Sequence, residues 1–369
     1  MSINADQGSK LWSEVERVLL VHYYEPELQG VQALCAAIAA HKLRGQPVWP
    51  MVVAPAGSMK TDLLAGFDGL PTVHLIDSMT PNTFLSGQIK DAAREKRQTS
   101  SSLLHRIGAS GFIVFPDFGT VLSMNKTHRG SVLADMRRIY DGHLRKEYGT
   151  DDDRLEHEWR GRITCAVGTT DAVDRHYAVF QALGERFVMI RWDRPDGVKA
   201  AIVAINQDRE ACTTELRKAI HSLICGLSTQ EPRLSSQMQY NIAALAEFTV
   251  RARTHISRSR YNKEIEYVPE PEAPTRLAQQ LAQLAKGSAL VMERSEVDGD
   301  DLALVRRVAF DCIPTARRKL LDALISGEKG TGAASTISYA KQELKELGLL
   351  NTGHLSSLAL ELLRQAGVL

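Results

Sequence analysis

The stretch VWPMVVAPAGSMKTDLLAGF, residues 48–67, decides the fold class. It opens with a short apolar run that predicts a buried strand, and it closes with a helical pattern. Between them, APAGSMKT (54–61) matches the phosphate-binding loop G-x-x-x-x-G-K-[ST] except that Ala54 and Met59 replace its two glycines. A loop of this kind between a strand and a helix predicts a nucleotide-binding α/β domain.

The backbone of this loop and its last two residues have predicted roles in binding ATP. Backbone N–H groups would surround the phosphates, Lys60 would contact the β- and γ-phosphates, and the Thr61 hydroxyl would bind Mg²⁺. Met59 restricts the backbone where glycine is usual, and its side chain crowds the phosphates. The alternative is a Gly/Pro turn that happens to precede Lys-Thr. The predicted cofactor-binding residues are Ala56, Gly57, Ser58, Met59, Lys60 and Thr61.

Four further apolar runs have the length and the residue types of strands. They are TVHLI (72–76), GFIVF (111–115), ITCAV (163–167) and FVMIRW (187–192). Helical patterns separate them, including one over residues 129–147. Strands that alternate with helices predict a parallel five-stranded sheet with helices on both faces.

The pattern changes after the fifth strand. Residues 198–310 have helical periodicity, and Thr275 is the predicted cap of the clearest helix in that block. The chain then ends in a helix, a Gly-rich turn, a second helix and a compact tail, which predict a helix-turn-helix or winged-helix module. The predicted domains are 1–197, 198–312 and 313–369.

Polar residues at the strand ends supply the remaining candidates for catalysis. Asp117 follows the third strand and could bind Mg²⁺, while Thr169 or Thr170 follows the fourth strand and could sense the γ-phosphate. Arg186 precedes the fifth strand, from which an arginine can reach the phosphate of a neighbouring subunit. The alternatives are that Asp117 is the acid of an ordinary turn, that Thr169 or Thr170 is an ordinary turn residue, and that Arg186 is a surface arginine.

In this order, these motifs resemble an AAA+ ATPase over roughly residues 30–369, most closely minichromosome-maintenance-type helicases and their shorter relatives in phages and mobile elements. The resemblance implies a helical lid, a terminal winged helix, and ATP bound between the subunits of a homo-oligomer such as a hexameric ring. GERFVMIRWDRPDG is similar to the segment that carries the arginine finger, which places that role on Arg186. APTRLAQQLAQLA is similar to the lid segment with the second sensor arginine, which places that role on Arg276. Lys60, Thr61, Asp117, Thr170 and Arg276 would then act within one subunit, although the family's second sensor can also act across the interface.

The acid pair of the family is incomplete in this chain. If the family's Asp-Glu-Phe lies on Pro116-Asp117-Phe118, Asp117 takes the place of the catalytic glutamate and the magnesium acid is lost. The other alignment keeps Asp117 as the magnesium acid and puts Phe118 where the catalytic acid belongs. Either alignment leaves one acid, which predicts nucleotide binding with impaired hydrolysis.

Two regions are candidate DNA contacts. GTDDDRLEHEWRGR (149–162) falls where the family has a pore-facing hairpin, which makes Arg160 and Arg162 candidates; solvated charge is the alternative. In the terminal module, STISYAKQELKELG would be the reading helix, unless the module binds protein instead. Its candidate contacts are Ser335, Ser338, Lys341, Gln342 and Lys345.

Composition limits the function classes. The 45 Lys and Arg balance 44 Asp and Glu, so any contact with DNA must be local rather than a property of the whole surface. The five cysteines form no CxxC pair, which indicates reduced thiols rather than a zinc site or a disulfide framework. We see no signal-peptide pattern and no apolar run of membrane-spanning length, which predicts a soluble cytoplasmic protein without a membrane partner.

Three functions are compatible with these observations. The first is an AAA+ motor or replication initiator that uses ATP and Mg²⁺, oligomerises and acts on DNA, as in a phage or mobile element. The second is a nucleotide-binding or inactive AAA+ scaffold that assembles on DNA or on a protein partner without rapid hydrolysis. The third is a DNA-binding transcription factor whose terminal module is its functional part.

Overall fold

The computed structural model describes residues 9–86, 102–148, 155–176, 185–328 and 332–369. Its strands, in chain order, are β1 Trp49–Val53, β2 Val73–Leu75, β3 Ser110–Phe115, β4 His143–Tyr148, β5 Leu155–Arg160, β6 Arg162–Thr169, β7 Phe187–Arg191, β8 Ser257–Arg258, β9 Ile265–Tyr267, β10 Leu350–Asn351 and β11 His354–Leu355. Its α-helices are α1 Lys10–His22, α2 Leu28–Ala39, α3 Lys60–Ala65, α4 Leu103–Ile107, α5 Gly119–Ser123, α6 Lys126–Tyr140, α7 Gly197–Asn206, α8 Arg209–Gly226, α9 Ser236–Arg253, α10 Thr275–Val291, α11 Gly299–Asp311, α12 Thr315–Ser326, α13 Ala334–Glu346 and α14 Ser357–Gln365.

A five-stranded parallel sheet lies at the centre of the molecule. Its strand order is β2-β3-β6-β1-β7, and every neighbouring pair is parallel. All residues of β1 and β7 are buried. Because successive side chains of a strand point to opposite faces, both faces of the sheet are covered. The α/β class and all five predicted strands are confirmed.

The helical block after β7 shares its packing with the sheet. Helix α10 lies against α2, and a Cβ on Gly287 would come 2.1 Å from the carbonyl oxygen of Ala36, so the two helix backbones are in close contact. Asp311, at the end of α11, accepts a hydrogen bond of 3.0 Å from the backbone N–H of Arg191 in β7. Buried side chains from all three predicted domains join one hydrophobic core. The boundary predicted at residue 198 therefore falls between elements but does not separate independent cores.

The prediction of a helix over residues 129–147 is correct as far as Tyr140 and wrong beyond it. Helix α6 ends at Tyr140, and Gly142 has φ +88°, a left-handed conformation that stops a helix at little cost for glycine. The chain then continues as β4, which pairs with β5 in an antiparallel hairpin. Val132, Met136, Ile139 and His143 follow one another at helical spacing, which favoured a longer helix, but the structure leaves His143 exposed.

The helical nature of the block after residue 197 is confirmed, with two corrections. Thr275 is the first residue of α10 rather than its cap; the cap position is Pro274, and no side chain bonds there. A short antiparallel hairpin, β8–β9, interrupts the block and was not predicted. Near the C-terminus, α12 and α13 are followed by the hairpin β10–β11 and by α14, which agrees with the predicted helix, turn, helix and tail. None of the helices in the described ranges is long and apolar enough to cross a membrane.

Candidate nucleotide site

The loop over residues 54–59 connects β1 to α3 and is closed by its own hydrogen bonds. The backbone N–H of Ala54 donates to the carbonyl of Thr169 at 3.1 Å, which ties the start of the loop to the end of β6. The hydroxyl of Ser58 donates to the carbonyl of Pro55 at 2.7 Å. Gly57 has φ +78°, a left-handed conformation that glycine adopts without a steric cost.

Met59 also adopts a left-handed conformation, with φ +33° and ψ −1°. The backbone at the degenerate position therefore bends as glycine would, although methionine carries a Cβ that disfavours this bend by roughly 1–2 kcal/mol. Its side chain is half-buried against the hydrophobic core, which offsets part of that cost. Its carbonyl accepts from the backbone N–H of Leu63 at 2.9 Å, so Met59 still begins α3 in a regular way.

Lys60 is directed at the carboxyl ends of the central strands. Its Nζ donates to the carbonyl of Thr169 at 3.2 Å. Burial lowers the pKa of Lys60, and the nearby carboxylate of Asp117 opposes that shift. The structure thus brings together Lys60, Asp117 and the end of β6. Strand β3, which precedes Asp117, is not the neighbour of β1, since β6 lies between them.

Gly168 is a site residue that the motif search missed. A Cβ at this position would come 2.5 Å from the carbonyl oxygen of Pro116, 2.8 Å from Leu64 and 3.2 Å from the Cδ of Lys60. Only glycine lets β6, the end of β3 and α3 approach this closely. The signal was a glycine near the end of an apolar strand, which often marks a close approach of two backbones.

Asp117 and Phe118 have opposite environments. Asp117 is exposed, and its carbonyl accepts from the hydroxyl of Thr120 at 2.8 Å. Phe118 is fully buried, with its ring 6.1 Å from that of Phe115 and 5.6 Å from that of Phe187, and its N–H donates to Gly168. A side chain at position 118 belongs to the core and cannot orient a water molecule. Of residues 116–118, Asp117 is therefore the only one that offers a carboxylate at the end of β3.

The remaining loop residues lie at the surface beside Lys60. Ala56, Gly57 and Thr61 are exposed, and Ser58 is half-buried. Thr169 is buried, and its hydroxyl has no hydrogen-bond partner in the described part of the chain, whereas Thr170 is half-buried. The same described ranges contain no cluster of three His, Cys, Asp or Glu residues that could hold a metal ion alone.

Arg186 and Arg276 lie at the other end of the sheet. Arg186 precedes the first residue of β7, which pairs with the first residue of β1, whereas the loop follows the last residue of β1. Arg276 donates to the carbonyl of Glu185 at 3.4 Å, so it lies beside Arg186. The two ends of β1 are separated by roughly 13 Å. Arg276 therefore lies at the opposite end of β1 from the loop of its own subunit, and its role as second sensor stays a prediction.

The side chain of Arg186 is held within its own chain. Its guanidinium donates to both carboxylate oxygens of Asp141, at 3.2 and 3.3 Å, and lies 5.8 Å from the ring centre of Tyr140. Burial lowers the pKa of Arg186, and the neighbouring charge of Arg276 adds to this effect. Two cations therefore lie close together: Arg186 is paired with Asp141, and Arg276 with Glu272.

Arg209, rather than Arg276, is the arginine that the helical block places beside the loop. It begins α8 and donates to the carboxylate of Asp62 at 3.3 Å, and Asp62 follows Thr61 in α3. Its side chain is largely exposed and can turn toward a ligand at the loop. Nothing in the sequence indicated this role, because Arg209 is a charged residue in the first turn of a helix and no motif surrounds it.

The candidate DNA contacts divide into two groups. Arg162 is structural: its guanidinium donates to the carbonyls of Gly45, His41 and Ala40, at 2.9, 2.5 and 3.3 Å, and so closes the end of the α2 segment. These bonds give Arg162 a structural role, and its contact with DNA stays a prediction. Arg160 is exposed and pairs with Glu158 at 2.7 Å on the same strand. The predicted contacts on α13 are all exposed: Ser335, Ser338, Lys341, Gln342 and Lys345.

With this geometry described, the chain was compared with known proteins. No protein-family model matches it, and no curated protein matches it either. The candidate functions therefore depend on the site itself.

The left-handed backbone at position 59 gives a stability prediction. Met59→Gly and Met59→Ala both remove the half-buried side chain, but only glycine relieves the backbone strain. We expect Met59→Gly to be more stable than Met59→Ala by about 1 kcal/mol, the reverse of the usual order for these residues. Denaturant unfolding of both variants measures the difference. Equal stability would mean that the loop does not hold position 59 left-handed.

Proposed function

We propose that this protein is an AAA+-type ATPase that binds ATP with Mg²⁺, self-associates and acts on DNA. One observation carries the proposal: Lys60 extends from a phosphate-type loop to the end of β6, next to Asp117. A loop after a strand of a parallel sheet, a lysine within it and an acid two strands away form the minimum set for binding a nucleoside triphosphate.

The residues present at the loop fit both ATP and Mg²⁺. Gly168 lets the end of β3, which carries Asp117, come close to Lys60, and the hydroxyl of Thr169 is buried without a described partner. In the proposal, residues 56–61 surround the phosphates while the hydroxyl of Thr61 and the carboxylate of Asp117 hold Mg²⁺, which would neutralise phosphate charge. Thr170, one residue beyond β6, is the proposed polar sensor.

The proposed ATP site is incomplete within one chain. Arg186 and Arg276 lie together at the opposite end of the sheet from the loop, so any role at a phosphate must be toward a neighbouring subunit. Arg209 is the proposed cation from the same subunit. In this arrangement, Arg186 of the neighbour exchanges Asp141 for a phosphate oxygen, which supplies charge stabilisation only in the assembled state.

Helix α7 supports self-association. None of its residues is buried, and its apolar side chains Val198, Ile202 and Ile205 are 72%, 54% and 81% exposed. These three residues share one helix face, and the half-buried Ala200 and Val203 face the protein instead. The helix begins six residues after the end of β7, at the same end of the sheet as the loop. We propose that the neighbouring subunit covers this face.

This placement predicts a change in oligomeric state. Ile205→Asp should abolish ATP-dependent self-association, because a charge would have to be buried without a partner, while leaving the fold intact. Ala204→Asp introduces the same charge on a different face of α7 and serves as the matched control. Sedimentation velocity with and without ATP measures both. Assembly of Ile205→Asp equal to the control would exclude α7 from the interface.

The DNA contact is proposed for α13. Helices α11, α12 and α13 followed by the hairpin β10–β11 have the element order of a winged helix, which makes α13 the reading helix. Its exposed face carries Ser338, Lys341 and Lys345 at helical spacing. Two lysines alone give weak binding, so several subunits together would be needed for firm attachment to DNA.

The test of the proposed function uses purified protein with and without ATP, and with and without DNA. We expect ATP to promote oligomers and DNA to stimulate turnover. A monomer that ignores nucleotide and DNA at every concentration would contradict the proposal.

The burial of Phe118 favours a second candidate function. If Asp117 is the only acid at the site, one carboxylate must either hold Mg²⁺ or orient water, and hydrolysis would be slow. The protein would then be a nucleotide-gated scaffold that assembles on DNA or on a protein partner. ATP that remains bound and unhydrolysed in the oligomer would support this function over a motor.

A further inference from the structure

The hairpin β8–β9 carries an unusual surface at its tip. Tyr261 is 99% exposed, and it lies between Arg260 and Lys263 in the sequence Arg260-Tyr261-Asn262-Lys263. Neither Arg260 nor Lys263 has a carboxylate within ion-pair distance among the residues that the structure describes. The nearby acid Glu264 instead accepts a hydrogen bond from the side chain of Asn262 at 2.6 Å.

This tip is fixed in place by Arg258. Its guanidinium donates to the carbonyl of Lys263 at 2.7 Å and pairs with Glu343 on α13, also at 2.7 Å. It further donates to the carbonyl of Tyr339 at 3.1 Å and lies 4.7 Å from the centre of that ring. Lys263 has φ +63°, a conformation that a lysine adopts at a cost of about 1 kcal/mol, and the bond from Arg258 holds its carbonyl there.

The attachment sets the hairpin beside the exposed face of α13. Arg258 also donates to the side chain of Gln342 at 3.3 Å, and Gln342 adjoins Lys341 on that helix. A surface that contacts α13 at Lys341 and Lys345 would therefore meet the hairpin tip at its margin. By contrast, the tip of β10–β11 has the sequence Asn351-Thr352-Gly353-His354 and contains no lysine or arginine.

We infer that the tip of β8–β9 is a nucleic-acid contact, in which Arg260 and Lys263 bind phosphates and Tyr261 packs on a base or sugar. Two cations on either side of a fully exposed aromatic ring are the combination that nucleic acids bind through charge and stacking. An aromatic ring left in water at a fixed turn contributes nothing to the core that the structure describes, since Tyr261 is 99% exposed. The inference rests on the DNA contact proposed for α13 and extends it to a second element.

The test measures binding of a labelled duplex and a labelled single strand of the same sequence over a series of salt concentrations. The double variant Arg260→Ala/Lys263→Ala should lower the slope of log affinity against log salt by about 2, since each lost phosphate contact removes nearly one counterion. Tyr261→Ala should weaken binding about tenfold with little change of slope, because stacking involves no counterion release. Arg258 stays unchanged so that the hairpin remains attached.

Matched variants control for general effects of substitution. Tyr240→Ala removes another exposed tyrosine, from α9, and Lys10→Ala/Arg17→Ala removes two exposed cations from α1. Both should bind DNA as the unmodified protein does. Thermal unfolding of the hairpin variants should be unchanged, because the altered side chains are exposed.

The outcomes separate this inference from the proposed function. Loss of binding in Lys341→Ala/Lys345→Ala, with normal binding in both hairpin variants, would overturn the hairpin contact and leave the α13 contact standing. If the unmodified protein binds neither DNA form, both fail. A third outcome is that the protein binds heparin but not DNA, and that Arg260→Ala/Lys263→Ala weakens the binding of heparin whereas Tyr261→Ala does not. This result would indicate a surface for an acidic protein and would also overturn the inference.

Discussion

Lys60→Ala is expected to lower the affinity for ATP about a hundredfold and to abolish turnover. The ammonium group is the only side-chain cation that the loop itself contributes, and a hydrogen bond from a charged group to a buried partner contributes about 2–3 kcal/mol. In the structure, Lys60 is half-buried with its Nζ on the carbonyl of Thr169, so little rearrangement is needed before it can bind phosphate. Calorimetric titration with ATP and a phosphate-release assay measure the two effects.

Two further variants make this result specific. Lys60→Met keeps the apolar stem that packs near Gly168 but removes the charge, and we expect it to lose binding as completely as alanine does. Lys218→Ala removes an exposed lysine from α8 and should leave binding unchanged. Normal ATP affinity in Lys60→Met would show that the loop is an ordinary turn, and the proposed nucleotide site would be wrong.

Arg186→Ala is expected to lower turnover in the oligomer about a thousandfold while leaving the ATP affinity of a single subunit unchanged. An arginine supplied by a neighbouring subunit contributes this much by stabilising charge on the transferring phosphoryl group. The placement of Arg186 at the far end of the sheet from Lys60 excludes an effect within one chain. Arg186→Lys retains the charge near Asp141 and controls for loss of that ion pair, whereas Arg17→Ala controls for removal of an exposed arginine.

Mixing two inactive variants tests the geometry directly. A subunit with Arg186→Ala still has Lys60, and a neighbour with Lys60→Ala still has Arg186, so some interfaces in a mixture contain both groups. Turnover that returns on mixing would support the arrangement across subunits. If neither variant assembles or complements the other, while both are folded, the proposed interface would be contradicted. For a scaffold with slow hydrolysis, retention of ATP in the mixed oligomer replaces turnover as the measurement.

The sequence by itself determined the sheet. Short, largely apolar runs separated by helical patterns identified all five parallel strands, because strands covered on both faces are rich in apolar residues. The loop was also correctly placed, since a phosphate-type motif between strand and helix is a local property of the chain. The boundary of α6 was predictable in principle, because Gly142 marks its end and only the apolar spacing argued for a longer helix.

Tertiary structure decided the parts that depend on distant segments. The sequence could not show that Arg162 binds backbone carbonyls around Ala40, because that contact joins residues far apart in the chain. It also could not place Arg276 beside Arg186, or Arg209 beside the loop, since arginines in helices look alike until the helices are packed. Local patterns fix where strands, turns and loops form; only packing fixes which side chains meet, because a site is built from several elements at once.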